Sequence, residues 1–172
     1  MWSEYQRLRL KLSVSSLDAF DLKILAALQR DARMPMPELA EEVGLSTPAC
    51  YRRVRALREA GVIEREVAIV APVSMGWPVT MIVLVKLERD KGPVVDALVR
   101  KLKKSAAVID VWYVTGDHDL VLHVAAENMA AYDSFTRHTL HADDQVHSFE
   151  TLVVLQQPKR AAALGPSILA ST

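Results

Sequence analysis

The chain has 172 residues, enough for one or two ordinary domains, and its 21 Lys and Arg residues balance 21 Asp and Glu residues. With 51% hydrophobic and 24% charged residues, the composition is globular and excludes a disordered chain of low hydrophobicity and high charge. The single cysteine excludes a disulfide framework and a Cys-rich zinc module, and it indicates a reducing compartment. No apolar run reaches the roughly 20 residues that cross a bilayer, and the N-terminus lacks the features of a secretory signal. We therefore expect a cytoplasmic protein with no membrane partner.

Residues 1–16 form a basic N-terminal arm that fits no single element, and the recognisable pattern begins at residue 17. Residues 17–71 predict three short helices followed by a β-wing. Asp18 can cap the first helix, which ends near Asp31. The second helix covers residues 37–43, with a proline in its first turn, where a missing N–H costs little.

The second and third predicted helices are joined by a tight turn. Gly44 stops the second helix, and Ser46 caps the third, which runs to about Ala60. Two helices joined in this way fit the geometry of a helix-turn-helix. The apolar stretches at residues 62–63 and 67–70 then predict two short strands of a β-wing.

The third helix has an apolar face and an arginine-rich face. Cys50, Val54 and Leu57 form the apolar face at spacings of four and three. Residues 46–60 carry four arginines against one acid, Glu59, so positive charge is concentrated here in a chain that is neutral as a whole. One side of such a helix can pack while the other meets phosphates and guanine edges. The candidate DNA-binding residues are Ser46, Thr47, Tyr51, Arg52, Arg55 and Arg58.

The same residues also have structural explanations. On the pattern alone, the arginines fit a solvated helix face as well as a DNA-binding one. Arg53 lies beside Val54 and also fits an ion pair within the domain. Cys50 lies on the apolar face, so we interpret it as a small core residue rather than as a reactive thiol or redox sensor.

Residues 72–78 contain two prolines and a glycine and predict a linker. From residue 79 to residue 157, strands and helices follow the order βαββαβ, which predicts a ferredoxin-like sandwich with two helices on one face of an antiparallel sheet. Residues 158–172 form a C-terminal tail with weak order signals. The fold class is therefore α+β, a winged helix-turn-helix followed by a ferredoxin-like domain. The predicted strands cover residues 79–87, 109–115, 120–126 and 146–155, and the helices cover residues 93–104 and 129–140, the latter capped by Asn128.

The predicted strands at residues 79–87 and 109–115 carry apolar side chains on both faces. Val83 and Val85 alternate with Ile82 and Leu84, for example. A monomer would expose the second face as a large apolar patch. We therefore expect a homodimer that forms through the sheet.

Histidines near the end of the second half raise the possibility of a metal site. His138 and His141 have a plausible ligand spacing on a helix, and His147 lies nearby with Asp143 and Asp144. Nothing in the sequence fixes a third ligand, however. We therefore interpret these residues as exposed histidines and expect no metal and no cofactor.

A four-residue turn separates the second and third predicted strands. Its two aspartates suit turn chemistry, or alternatively a carboxylate pair for acid–base catalysis. No nucleophile motif, phosphate loop or metal-spacing motif accompanies them. The turn consists of Gly116, Asp117, His118 and Asp119.

Six short motifs follow one another between residues 17 and 157. They are Leu17-Asp18-x-x-Asp21-x-x-Ile24-Leu25, Leu28-Gln29-x-Asp31-Ala32-Arg33, Glu38-Leu39-Ala40-x-x-Val43-Gly44-Leu45-Ser46, Cys50-x-x-Arg53-Val54-x-x-Leu57, Ala60-Gly61-Val62-Ile63 and Val114-Thr115-Gly116-Asp117-x-Asp119. In this order and spacing they resemble the leucine-responsive/asparagine-responsive regulator family, the feast/famine transcription factors. The sequence departs from the family pattern at Pro35, which replaces a Ser-like cap, at Arg65-Glu66, which replaces Gly-Tyr, and at His118 and Leu120, which replace aromatic residues.

The resemblance implies a sequence-specific DNA-binding transcriptional regulator and not an enzyme. Residues 17–66 would bind the major groove of double-stranded DNA. Residues 79–157 would dimerise, assemble into a higher symmetric oligomer and bind a small-molecule effector, an amino acid. The resemblance also implies that Gly116, Asp117, His118 and Asp119 line the effector site. Three alternatives stay open: an architectural DNA-binding protein without a ligand, a small βαββαβ enzyme with a DNA-binding head, and a protein–protein module that has lost DNA binding.

Overall fold

The computed structural model describes residues 17–88 and 92–159. The predicted arm at residues 1–16 and the predicted tail beyond residue 159 lie outside the described residues. The chain divides into two compact units: the first extends to Ala68, and the second consists of Ile69–Pro158. None of the helices in the described ranges combines the length and apolar content that crossing a bilayer requires.

Among the described residues, the first unit contains three helices: α1 (Ala19–Arg30), α2 (Met36–Val43) and α3 (Thr47–Glu59). The predicted cap of α1 is confirmed as a reciprocal capping box. The Asp21 N–H donates to Asp18 Oδ1 at 2.9 Å, and the Asp18 N–H donates to Asp21 Oδ2 at 3.2 Å. One core joins the three helices, formed by Ile24, Ala27, Leu28, Leu39, Ala40, Val43, Cys50, Val54 and Leu57.

Cys50 is fully buried in this core, which confirms its predicted structural role. Burial raises the pKa of the Cys50 thiol, because the desolvated thiolate is disfavoured. The thiol therefore stays protonated and unreactive at neutral pH.

The turn between α2 and α3 depends on Gly44. This glycine has φ +78°, in the left-handed region, and the Leu45 N–H donates to the Ala40 carbonyl at 2.8 Å. Ser46 occupies the predicted N-cap position of α3, but its side chain makes no capping hydrogen bond. Pro48 at the second helical position removes one of the two N–H groups from which a capping side chain accepts, and the N–H of Ala49 is the other.

The predicted β-wing is also wrong. Residues 62–71, all within the described ranges, form no strand. The N–H groups of Val62 and Ile63 both donate to the Leu57 carbonyl, at 2.9 and 3.2 Å, and so they complete the end of α3. The second predicted wing strand therefore finds no ladder partner, and Val67 and Ile69 are 64% and 54% exposed.

The second unit follows the predicted order βαββαβ. Its strands pair antiparallel in the order β2-β3-β1-β4, as expected for a ferredoxin-like sandwich. A 3₁₀ turn (Pro72–Met75) precedes the first strand, within the segment predicted as a linker. The elements are β1 (Val79–Leu87), α4 (Gly92–Leu102), β2 (Val108–Tyr113), β3 (Leu120–Ala126), α5 (Met129–Thr136), a π-helical turn (Arg137–His141) and β4 (Val146–Val153).

The two faces of the sheet differ in their cover. One face packs against α4, α5 and the π-helical turn and buries Met81, Val83 and Val85 completely. The opposite face, here called the open face, is covered by no other element of the described unit. Strand pairing aligns two rows of side chains across it: Asp110, His123, Ile82 and Leu152 in one row, and Trp112, Val121, Leu84 and Glu150 in the next.

Candidate nucleic-acid interface and effector turn

The predicted DNA-binding residues lie together on α3, opposite its buried face. Cys50, Val54 and Leu57 anchor the helix in the core, so the residues between them point toward solvent. The exposed set includes Tyr51, which is 57% exposed. It comprises Ser46, Thr47, Tyr51, Arg52, Arg55 and Arg58, all of which are exposed.

Arg53 does not belong to this surface. Its Nη1 atom lies 2.8 Å from carboxylate oxygens of both Asp18 and Asp21, and its guanidinium lies 5.6 Å from the centre of the Phe20 ring. The hydrogen bonds that Arg53 donates to the carboxylates of Asp21 and then Asp18 raise the pKa of Arg53. The backbone N–H of Asp21 is the main group that lowers the pKa of Asp18, and Arg53 adds to that effect. The hypothesis that Arg53 pairs within the domain is therefore confirmed.

The remaining arginines of α3 differ in their electrostatic partners. Arg55 Nε lies 2.7 Å from Glu59 Oε1, one turn further along the helix. Arg58 Nη2 lies 2.7 Å from Glu66 Oε1, and its Nε donates to the same oxygen at 3.2 Å. Arg52 forms no ion pair with any residue in the described ranges. The positive surface is therefore uncompensated at Arg52 and locally neutralised toward the end of the helix.

Glu66 is a charged neighbour of Arg58 that is not among the candidate residues predicted from the sequence. Its pairing with Arg58 spans eight residues and passes beyond the helix end, so helical spacing does not reveal it. One feature of the sequence does point to Glu66: the family pattern has Gly-Tyr at the positions of Arg65-Glu66, so both charges are a departure from it.

The predicted effector turn lies between β2 and β3, next to the end of β1. Gly116 has φ +121°, a backbone conformation that favours glycine. Asp119 ties the turn to its neighbours: its N–H donates to the Val85 carbonyl at 2.9 Å, and its carbonyl accepts from the Val114 N–H at 3.0 Å. Its Oδ2 atom also accepts from the Leu87 N–H at 2.7 Å.

The four turn residues therefore divide into structural and accessible groups. Asp119 is partly buried and already accepts a backbone hydrogen bond. Asp117 is exposed and makes no hydrogen bond or ion pair with the described residues, and His118 is half-buried. Asp117 thus has the carboxylate that is available to another molecule.

An apolar cleft of about 210 Å³ lies at the other end of β3, away from this turn. Side chains of the strand end, of α5 and of the segment before β1 surround it. They include Trp77, Ala107, Ala126, Tyr132 and Phe135, with Glu127 at the polar side.

The histidines considered as metal ligands have separate partners. His138 Nδ1 lies 2.7 Å from the Ser134 carbonyl oxygen. The His141 ring packs edge-on against Phe149, with ring centres 4.9 Å apart. His147 Nδ1 lies 2.8 Å from a Glu88 carboxylate oxygen. Within the described ranges, no group of three His, Cys, Asp or Glu side chains is arranged to hold a metal ion.

Comparison with known proteins gives two family matches and close relatives. The AsnC-type helix-turn-helix domain matches residues 17–58, and the Lrp/AsnC ligand binding domain matches residues 80–164. An uncharacterized HTH-type transcriptional regulator of Sinorhizobium fredii, y4tD, is 42% identical over 148 residues, which cover 86% of this chain and 88% of that protein. The leucine-responsive regulatory protein of Rhizobium meliloti is 37% identical over 145 residues, with coverages of 84% and 93%.

Solved structures share the same architecture. The L-Met complex of a transcriptional regulator from Neisseria meningitidis has a TM-score of 0.83 at 28% identity, covering 90% of this chain and 99% of that one. The structure of E. coli AsnC has a TM-score of 0.77 at 27% identity, with coverages of 87% and 99%.

A helix-turn-helix unit with an exposed arginine surface, joined to a βαββαβ ligand-binding unit, defines a DNA-binding transcriptional regulator. Its relatives are regulators and not enzymes. The chain belongs to the Lrp/AsnC family of transcriptional regulators.

Proposed function

We propose that α3 binds the major groove of double-stranded DNA through its exposed residues, and that Arg52 is the principal charged contact. The observation that carries this proposal is the pairing pattern of the arginines. Arg53 forms ion pairs with Asp18 and Asp21 within the domain. Arg52, in contrast, is exposed and has no acidic partner in the described ranges. The contact surface comprises Ser46, Thr47, Tyr51, Arg52, Arg55 and Arg58.

The open face of the sheet is the proposed dimer interface. Trp112 and Leu152 are 46% and 45% exposed there, and Ile82, Leu84 and Val121 lie between them. Covering these side chains with a second copy removes apolar area from water. A homodimer then presents two recognition helices, which can read half-sites about 34–36 Å apart or a multiple of that distance. Further symmetric assembly of such dimers is part of the same proposal.

The effector is proposed to be an amino acid bound at Gly116, Asp117, His118 and Asp119. Two observations support this proposal: the chain contains the Lrp/AsnC ligand binding domain, and the Neisseria meningitidis regulator of similar structure is a complex with L-Met. An amino acid needs N–H donors for its carboxylate and an acceptor for its ammonium group. The turn can supply N–H groups, and the exposed Asp117 carboxylate can accept from the ammonium group in a charge-assisted hydrogen bond.

Asp119 has a different proposed role at this site. Its carboxylate accepts from the Leu87 N–H, so it holds the turn in shape beside β1 while Asp117 meets the ligand. Effector binding regulates the protein only if the amino acid has different affinities for two assemblies or two arrangements of the DNA-binding units.

Genome-wide recovery of bound DNA tests the proposed function. Wild-type protein is expected to enrich a limited set of fragments that share a paired motif. The double variant R52A/R55A is expected to lose this enrichment while keeping its unfolding temperature. Equal enrichment by the double variant would overturn the assignment of α3 as the DNA-binding helix.

The same recovery separates the alternatives. Repetition of the experiment with each amino acid is expected to change the enrichment for one or a few of them. An unchanged pattern with all of them favours the architectural protein, and enrichment of no fragment at all favours the protein–protein module.

A further inference from the structure

The arginine surface of α3 carries an acidic side chain that comes from outside the helix. Glu66 lies in the non-strand segment after α3, and its Oε1 atom accepts from both Nε and Nη2 of Arg58. Both side chains are exposed to solvent, at 46% and 38%. An exposed pair of this kind contributes little to the stability of the fold. Its main consequence is electrostatic, because it neutralises one of the arginines that face DNA.

Neutralisation is uneven along the helix. Thr47, Tyr51 and Arg52, in the first half of α3, have no acidic partner among the described residues. Arg58, in the last turn, is held by Glu66. In a helix-turn-helix, the first turns of the recognition helix approach the base edges. The compensated arginine is thus at the end that is better placed for the sequence-independent phosphate backbone.

We propose that Glu66 determines specificity by competing with DNA phosphates for Arg58. This inference rests on the proposed DNA-binding face of α3. Binding to any DNA sequence depends on neutralising phosphates with Lys and Arg, and the affinity falls steeply with salt. An arginine that must first leave a carboxylate adds little to such binding. Arg58 reaches the phosphate only where contacts from the first half of α3 offset the loss of its pair with Glu66. Affinity for random DNA is therefore kept low relative to affinity for the correct site.

Glu64 provides a matched control for this proposal. It lies two residues from Glu66 in the same exposed segment and carries the same charge. It forms no ion pair or hydrogen bond with the described residues. E64Q and E66Q therefore change the net charge equally, at nearly the same place, but only E66Q frees an arginine.

The test measures the affinity of the full chain for a random-sequence 30-base-pair duplex by fluorescence anisotropy, over a range of salt concentrations. E66Q is expected to bind this duplex about fivefold to tenfold more tightly near 0.1 M salt, with a salt slope steeper by about one phosphate contact. E64Q is expected to keep the wild-type slope. In the R58A background, E66Q is expected to leave the slope unchanged, because the arginine that it frees is absent.

The outcomes separate this inference from the proposed function. If R52A binds a DNA fragment from the genome-wide recovery as tightly as the wild type, the proposed DNA-binding face is wrong, and this inference falls with it. If R52A weakens binding but E66Q matches E64Q, this inference alone is overturned. Persistence of the E66Q effect in the R58A background also overturns it. Unchanged unfolding temperatures in all five variants (E64Q, E66Q, R52A, R58A and R58A/E66Q) ensure that the comparison reports charge and not folding.

Discussion

Asp119 is fixed at three atoms, whereas Asp117, two residues earlier in the same turn, is exposed and available. Backbone hydrogen bonds join Asp119 to Val85 and Val114, and its carboxylate accepts from Leu87. A motif that contains both aspartates does not distinguish these roles. The distinction follows from the neighbouring strand β1, which supplies a backbone donor to one carboxylate and none to the other.

Replacement of each aspartate should therefore change a different property: effector binding for Asp117 and stability for Asp119. D117A is expected to lose heat of binding for the effector amino acid while keeping the wild-type unfolding temperature. D119A leaves the partly buried Leu87 N–H without its acceptor, which is expected to lower the free energy of unfolding by about 1–3 kcal/mol. Calorimetry with the twenty amino acids and thermal unfolding measure the two effects. Normal effector binding by D117A would contradict the assignment of this turn as the effector site.

Neighbouring arginines of α3 give a second contrast at the scale of single residues. R52A is expected to weaken DNA binding by about 1–3 kcal/mol if Arg52 contacts a guanine through two hydrogen bonds. R53A is expected to lower the unfolding temperature, because Asp18, Asp21 and the Phe20 ring lose their common partner. Anisotropy with recovered DNA fragments and thermal unfolding separate the two. A fall in DNA affinity for R53A but not for R52A would reverse this assignment.

At the scale of elements, the helices agree with prediction better than the wing does. Helix caps, glycine stops and the 3.6-residue spacing of apolar side chains are local features, so the chain itself indicates where α1, α2 and α3 begin and end. A strand needs a partner as well as a pattern. Residues 67–70 have suitable β-branched side chains. However, the N–H groups of Val62 and Ile63 donate to the Leu57 carbonyl, so the first predicted strand does not form and residues 67–70 have no strand with which to pair.

The turn between α2 and α3 allows a direct test of its backbone requirement. A Cβ atom at Gly44 would meet no other atom within 4 Å, so its cost is conformational alone. G44A is expected to lower the free energy of unfolding by about 1–2 kcal/mol, because an alanine is strained at positive φ. G44N is expected to lose less, since asparagine adopts this conformation more readily. Equal losses in denaturant unfolding would contradict this explanation.

At the scale of the molecule, the open face of the sheet determines the expected assembly. Trp112 lies in a row with Val121, Leu84 and Glu150, so a charged residue at this position would be buried against a second copy. W112E is expected to shift the protein from dimer to monomer at micromolar concentration in sedimentation. M129E is the control, because Met129 is 51% exposed at the start of α5, outside the open face. A W112E variant that sediments like the wild type would exclude this face as the interface.

The amino-acid sequence by itself determined the order of elements, the core face of α3 and the position of the candidate turn. Periods of 2.0 and 3.6 residues, capping residues and glycine stops act over a few residues, so they can be read without a fold. The family motifs added the class of regulator, which composition alone left open because the net charge is zero.

Only the tertiary structure decided which charged residues are free to act. Arg53 lies 32 residues from Asp21, and Asp119 lies 32 residues from Leu87, yet each pair is in hydrogen-bond contact. Arg58 meets Glu66 because the segment after α3 turns back along the helix end and forms no strand. Such contacts depend on how separate elements pack, which local spacing does not encode. Only the charged side chains that are not engaged in these internal pairs are available to contact DNA and the effector.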